Sequence, residues 1–175
     1  MENVLISILC IALILFAAMT VAQSSLWSHD NIATAWKEME NTSAEIARTN
    51  ISSLGAATIS GGTVSMTVQN AGETKLEDFD KWDVILQYYD PNDNYLLKRL
   101  DYNSGTPNND EWTVKGIYLN AGSGTAEVFD PGIFNPDEEM VLLLKVNPIV
   151  GTPNANMVTV ATYNGVSATA TFNRN

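Results

Sequence analysis

The sequence is poor in nearly everything that catalysis and nucleic-acid binding require. It holds one histidine and one cysteine in 175 residues, and nine basic side chains against twenty acidic ones. A formal net charge of −11 leaves no basic face for a phosphate backbone, so no nucleic acid is expected as a partner. A single cysteine rules out a disulfide within the chain, and Cys10 lies inside an apolar run, where it behaves as a small hydrophobe. Any Ser-His-Asp or Cys-His device would have to use His29, and Cys10 lies several helical turns from it. No CxxC pair, HExxH, P-loop or GxGxxG occurs. Carboxylates alone can hydrolyse glycosides, yet Asp78/Asp80/Asp83 and Asp137/Glu138/Glu139 read as solvated loops. Neither an enzyme nor a cofactor is expected.

Glycine and proline are missing from the first third of the chain: the first glycine is Gly55 and the first proline is Pro91. From Val4 to Ala22 the sequence VLISILCIALILFAAMTVA has no charge, proline or glycine. As a helix this run covers roughly 28 Å, near the thickness of a bilayer core. A secretory signal needs a basic n-region, whereas Met1-Glu2-Asn3 is acidic and no Lys or Arg precedes Lys37. The same absence leaves the positive-inside rule nothing to read for a plain membrane anchor. The reading that fits best is a mature chain beginning at Met1, its basic leader already removed.

After this run, Ile32, Trp36, Met39, Ser43, Ile46, Asn50 and Leu54 follow helical spacing on one face, opposite Lys37, Glu38, Glu45 and Arg48. The pattern predicts one helix over residues 1–54, roughly 75–80 Å long, with any bend at Ser24-Ser25 or His29-Asp30-Asn31. Its amphipathic second half is expected to pack on the domain that follows. The first half is apolar all round and must be enclosed by lipid or by other copies. Val4, Leu5, Ile8, Leu9, Cys10, Ile11, Leu13, Ile14, Leu15, Phe16 and Met19 are therefore the candidate self-assembly residues.

From residue 55 the periodicity shifts toward two. Val64, Met66 and Val68 share one face of residues 63–69. Further strands are expected at 82–89, 95–100, 112–119, 125–128, 140–146, 157–163 and 166–172, with Asn164-Gly165 forming a type I′ hairpin turn. Short strands at this spacing predict an antiparallel, Ig-like β-sandwich head over residues 55–175, and the chain as a whole is α+β. Asp90, Asn92 and Asn94 place oxygen ligands at alternate positions, as calcium loops do. The glycine and glutamate of an EF-hand loop are replaced there by Tyr95 and Asp101, and a hairpin turn accounts for the same residues. Asn41-Thr42-Ser43 and Asn50-Ile51-Ser52 are N-glycosylation sequons; Asn41 is the better acceptor, since Asn50 falls on the apolar face.

Three stretches carry a resemblance to a known family. These are the apolar helix running into an amphipathic one, the segment TVSMTVQNAGETKLEDFDKWDVIL (63–86), and the closing hairpin MVTVATYNGVSATATF (157–172). Together they resemble the archaeal type IV pilin-like proteins, the archaellins and minor archaellum components. The segment from Val68 to Phe79 is similar to the passage V-x-N-x-G-x-T-x-L-x-D-F of those heads. The resemblance implies a subunit of an extracellular filament for motility or adhesion, many copies packing their helices into a core. It further implies a prepilin peptidase, a secretion ATPase and platform protein, and residence in the cytoplasmic membrane before assembly. Bacterial type IV pilins usually carry glutamate at the fifth mature position, where Leu5 stands here. The rival reading is a membrane-anchored extracellular binding module, or a minor component contacting the cell envelope.

Overall fold

The computed structural model describes residues 2–152 and 155–174; the expected mature terminus at Met1 lies outside them. Its elements are a helix and nine strands. Helix α1 is Glu2–Arg48, and the strands are β1 Ile51–Ser60, β2 Thr63–Asn70, β3 Asp83–Tyr89, β4 Tyr95–Tyr102, β5 Glu111–Asn120, β6 Thr125–Ala126, β7 Glu139–Lys145, β8 Ala155–Ala161 and β9 Ser167–Asn173. The chain divides into two compact units, residues 1–43 and 44–175.

The first unit is helix throughout its described length, with no break at Ser24-Ser25 or His29-Asp30-Asn31. The reason is local. Ser24 Oγ donates to the Thr20 carbonyl at 3.0 Å and Thr34 Oγ1 to the Asp30 carbonyl at 3.0 Å, so these hydroxyls bond inside the helix instead of opening it. Within this unit Ile32, Trp36 and Met39 of the amphipathic half are exposed.

The helix stops at Arg48 rather than at residue 54. Thr49 turns its hydroxyl onto the Glu45 carbonyl at 2.9 Å, and Ile51 is buried as the first residue of β1. The helical spacing of Asn50 and Leu54 is overridden by pairing with β2, from Ile51↔Asn70 to Ser60↔Thr63 across Gly61-Gly62.

The nine strands run in the order β1-β2-β7-β5-β4-β3-β8-β9, with β6 added to β5. All pairings are antiparallel except β4–β5, which touch in parallel only at Asp101↔Glu111 and Tyr102↔Trp112. That short seam joins two four-stranded sheets, β1-β2-β7-β5 and β4-β3-β8-β9, into the predicted sandwich. The core is supplied by alternate residues: Val64, Met66 and Val68 from β2, Val84, Leu86 and Tyr88 from β3, Met140, Leu142 and Leu144 from β7. Trp112, fully buried, stacks edge-on against Tyr102 at 4.9 Å.

Residues 90–94 form the expected hairpin turn between β3 and β4. The turn at Asn164-Gly165 differs from the type I′ expectation, since only Gly165 takes a positive φ (87°). Gly165 N donates to the Thr162 carbonyl at 2.9 Å and Thr162 N to the Val166 carbonyl at 2.9 Å, so the turn begins one residue earlier. Asn164 keeps an ordinary backbone conformation, and its side chain is used elsewhere.

Candidate assembly interface and the neck of the head

Every described candidate assembly residue is on the surface. Val4, Leu5, Ile8, Leu9, Ile11, Leu13, Ile14, Leu15, Phe16 and Met19 are between 57% and 70% exposed, and Cys10 is exposed as well. These positions go fully round the helix, so the surface is a cylinder rather than a stripe. Its polar interruptions are satisfied internally, as a non-aqueous surrounding demands: Ser7 Oγ donates to the Asn3 carbonyl at 2.8 Å and Thr20 Oγ1 to the Ala17 carbonyl at 2.8 Å. The helix is long and apolar enough to cross a membrane. The apolar surface also runs past Ala22 through Leu26 and Trp27, the latter 76% exposed. These two lie beyond the uninterrupted run, separated from it by Gln23, Ser24 and Ser25. Aromatic and aliphatic residues at helical spacing just beyond the run were the available signal.

The second unit begins with the last turn of α1, and the head grips that turn closely. Tyr163 Oη donates to Glu45 Oε1 at 2.6 Å, and Asn164 Nδ2 donates to Thr49 Oγ1 at 2.8 Å. Glu73 N donates to the Arg48 carbonyl at 2.9 Å, satisfying one of the carbonyls that any helix end leaves open. Burial, then the bond to Glu45, pushes the Tyr163 phenol up to about 12.

The motif between Val68 and Phe79 builds the other side of this neck. Asn70 is fully buried; its Nδ2 donates to the Thr74 carbonyl at 2.8 Å and the Phe134 carbonyl at 2.9 Å, while its Oδ1 accepts from Gly72 N at 3.1 Å. Gly72 lies flat on the helix end. A Cβ there would stand 2.5 Å from both the Arg48 carbonyl oxygen and Asn50 N. Leu76 is fully buried and bridges Phe134, Asp78 takes φ 53°, and Phe79 meets Trp82 edge-on at 5.3 Å.

The Asp90 loop is held by its own side chains. Asp90 Oδ1 accepts from Asn92 N at 2.8 Å and Asn94 N at 2.9 Å, and Oδ2 accepts from Asn94 Nδ2 at 3.0 Å. These bonds, the Asn94 ones foremost, lower the Asp90 carboxyl below its usual range. Both oxygens thus face N–H donors, as in an Asx turn. Among the described residues no group of three or more His, Cys, Asp or Glu side chains is arranged to hold a metal. Asn41 is exposed on the helix, and Asn50 is exposed just after it, off the apolar face that the extended-helix reading assigned to it.

A helix whose first half is apolar all round, followed by a β-sandwich, is the arrangement of a pilin-like filament subunit. The sequence pattern of the archaeal-type flagellin family matches residues 6–172, and the chain belongs to that family of structural filament proteins. No curated protein sequence matches it. Among solved structures, the archaeal flagellum of Methanospirillum hungatei strain JF1 is similar over 93% of this chain and 88% of that one, at 13% identity and TM-score 0.52. The archaellum periplasmic stator protein FlaG from Sulfolobus acidocaldarius is similar over 71% of this chain and 99% of that one, at 20% identity and TM-score 0.52. A chain of the stator complex of FlaF and FlaG from the same organism matches with the same identity and score, over 71% of this chain and 89% of that one.

Proposed function

We propose that this chain is a structural subunit of an extracellular helical filament, an archaellum or related pilus serving motility or adhesion. The observation that carries the reading is the bare apolar cylinder of α1, which water cannot surround at equilibrium. At about 25 cal/mol per Å² of apolar area removed from water, covering several hundred Å² per subunit strongly favours any arrangement that encloses it. Lipid and a bundle of sister helices do so equally well, so membrane and filament core are successive environments of one surface. In this reading residues 4–22 form the core, through the side chains from Val4 to Met19, and the β-sandwich head forms the sheath. A prepilin peptidase removes the leader, a secretion ATPase with its platform protein draws subunits from the cytoplasmic membrane, and Asn41 is the site of any glycan.

The likeness to periplasmic stator proteins favours a second reading, in which the head contacts the cell envelope. The family match weighs against it, because that match begins at residue 6 and takes in the apolar helix. The deciding test is electron cryo-microscopy of filaments sheared from the native cells, with mass spectrometry of their main band. Helices of this chain at the core, inside a sheath of its heads, support the first reading. Single copies confined to the membrane fraction would sink it. The same spectra show whether the peptide containing Asn41 has extra mass, which Asn41→Gln should abolish.

A further inference from the structure

The charges of the head are strongly segregated. Residues 49–72 contain none, and neither do residues 146–173. At the chain's average charged content of 17%, those 52 residues would hold about nine. Residues 73–145 carry fifteen acidic and six basic side chains, a net charge of −9. The two uncharged stretches supply β1, β2, β8 and β9, which stand at opposite ends of the strand order. The tertiary fold brings them together, since β1 lies against β9. The strands β2-β1-β9-β8 therefore form one continuous flank without a charge, surfaced by small side chains such as Ala57, Ser167, Thr169 and Thr171 and by the exposed Leu54 and Ile59 of β1. Strands β3 to β7 and their loops carry the acidic remainder.

We propose that this uncharged flank is the surface on which the head of a second copy packs in the filament, and that β3 and β4 face solvent. The inference rests on the filament reading above and specifies which face of the sheath subunit is buried. Its argument is electrostatic. Copies of a chain with net charge −11 repel one another, and close like charges are costly where water is excluded. Buried interface centres are accordingly depleted in charge. Only on this flank do two copies approach without desolvating carboxylates. Leu54 and Ile59 are its exposed large apolar residues on β1, and the small side chains around them let a second head come close. The helices supply most of the affinity, and the flank adds a close, uncharged contact between heads. It begins where α1 ends, with Thr49 at its edge bonded to Asn164 of the β8–β9 turn.

The test uses the full-length chain in its native cells, with Ala57→Cys on β1, Thr171→Cys on β9 and Leu97→Cys on β4, all exposed in the isolated subunit. Sheared filaments are treated with a sulfonated maleimide dye, and the unsubstituted chain reports the background from Cys10. Ala57→Cys and Thr171→Cys are expected to label about tenfold or more slowly than Leu97→Cys in intact filaments, as solvent is excluded from interface centres. All three should label alike once the filaments are dissolved in detergent. Equal labelling in intact filaments overturns the inference and leaves the filament reading standing. Absence of this chain from any filament overturns both. A second, independent arm is the yield of filaments: Ala57→Glu and Thr171→Glu should lower it several-fold and Leu97→Glu should not, and the opposite pattern overturns the assignment.

Discussion

Asn70, Gly72, Leu76 and Phe79 look in the sequence like a loose family spelling, and the structure gives each a separate physical reason. Asn70 occupies buried carbonyls of two loops, and Gly72 makes room for the end of a helix. Gly72→Ala must displace backbone at Arg48 or Asn50, and overpacking of this kind costs about 1–3 kcal/mol. A lowered urea midpoint with an unchanged slope is the expected result, whereas an unchanged midpoint would show that the neck tolerates the methyl group. The phenols give a pH prediction. Burial raises Tyr88, whose hydroxyl donates to the Pro148 carbonyl at 2.8 Å, to about 12, as it does Tyr163. Below pH 10, the ordinary phenol value, folded and unfolded chains bind the same protons at these sites. Between pH 10 and about 12 the unfolded chain releases protons that the folded one keeps, so stability falls as pH rises. The melting temperature should drop across that window, and the drop should be shallower in Tyr163→Phe.

At the scale of elements, the first helix and the strands behave differently under sequence reading. The helix from residue 2 to the forties is legible because nothing in it breaks a helix and its apolar residues need no partner to be recognised. Its C-terminal end is not, because Asn50 and Leu54 continue the spacing and only pairing with β2 converts Ile51–Ser60 into a strand. β1 was therefore the one strand with no sequence signal of its own, while the alternating residues of β2 and β7 announced themselves. The Asn-Gly turn is legible in the sequence, but its type follows from the pairing of Thr162 with Gly165 and Val166, which leaves only Gly165 at positive φ. A prediction belongs to α1 as a whole. Leu13→Asp places a carboxylate in the middle of the apolar cylinder, where a charge costs about 2.5–3.5 kcal/mol at a bilayer centre. Filaments should disappear from sheared preparations while the melting temperature of the head stays as in the parent chain. Normal filaments carrying the aspartate would mean that residue 13 is not enclosed.

At the scale of the molecule, two opposed tendencies meet in one chain: an apolar helix that drives copies together and an acidic head that holds them apart. Screening is weak at low salt, with a Debye length of about 30 Å at 0.01 M against about 8 Å at physiological ionic strength. Filaments sheared into low-salt buffer should accordingly shorten or dissociate more than those kept at physiological salt, as counted by electron microscopy. A length distribution independent of salt would remove head repulsion from the account. The sequence by itself determined the class of fold and the uncharged apolar run that opens α1. Composition and periodicity are local properties, and each of these conclusions follows from residues close in the chain. Only the tertiary structure decided where the helix ends, how the neck is held and that two distant uncharged stretches form one flank. Those features depend on pairings between residues as much as 115 positions apart or more, which no local pattern encodes.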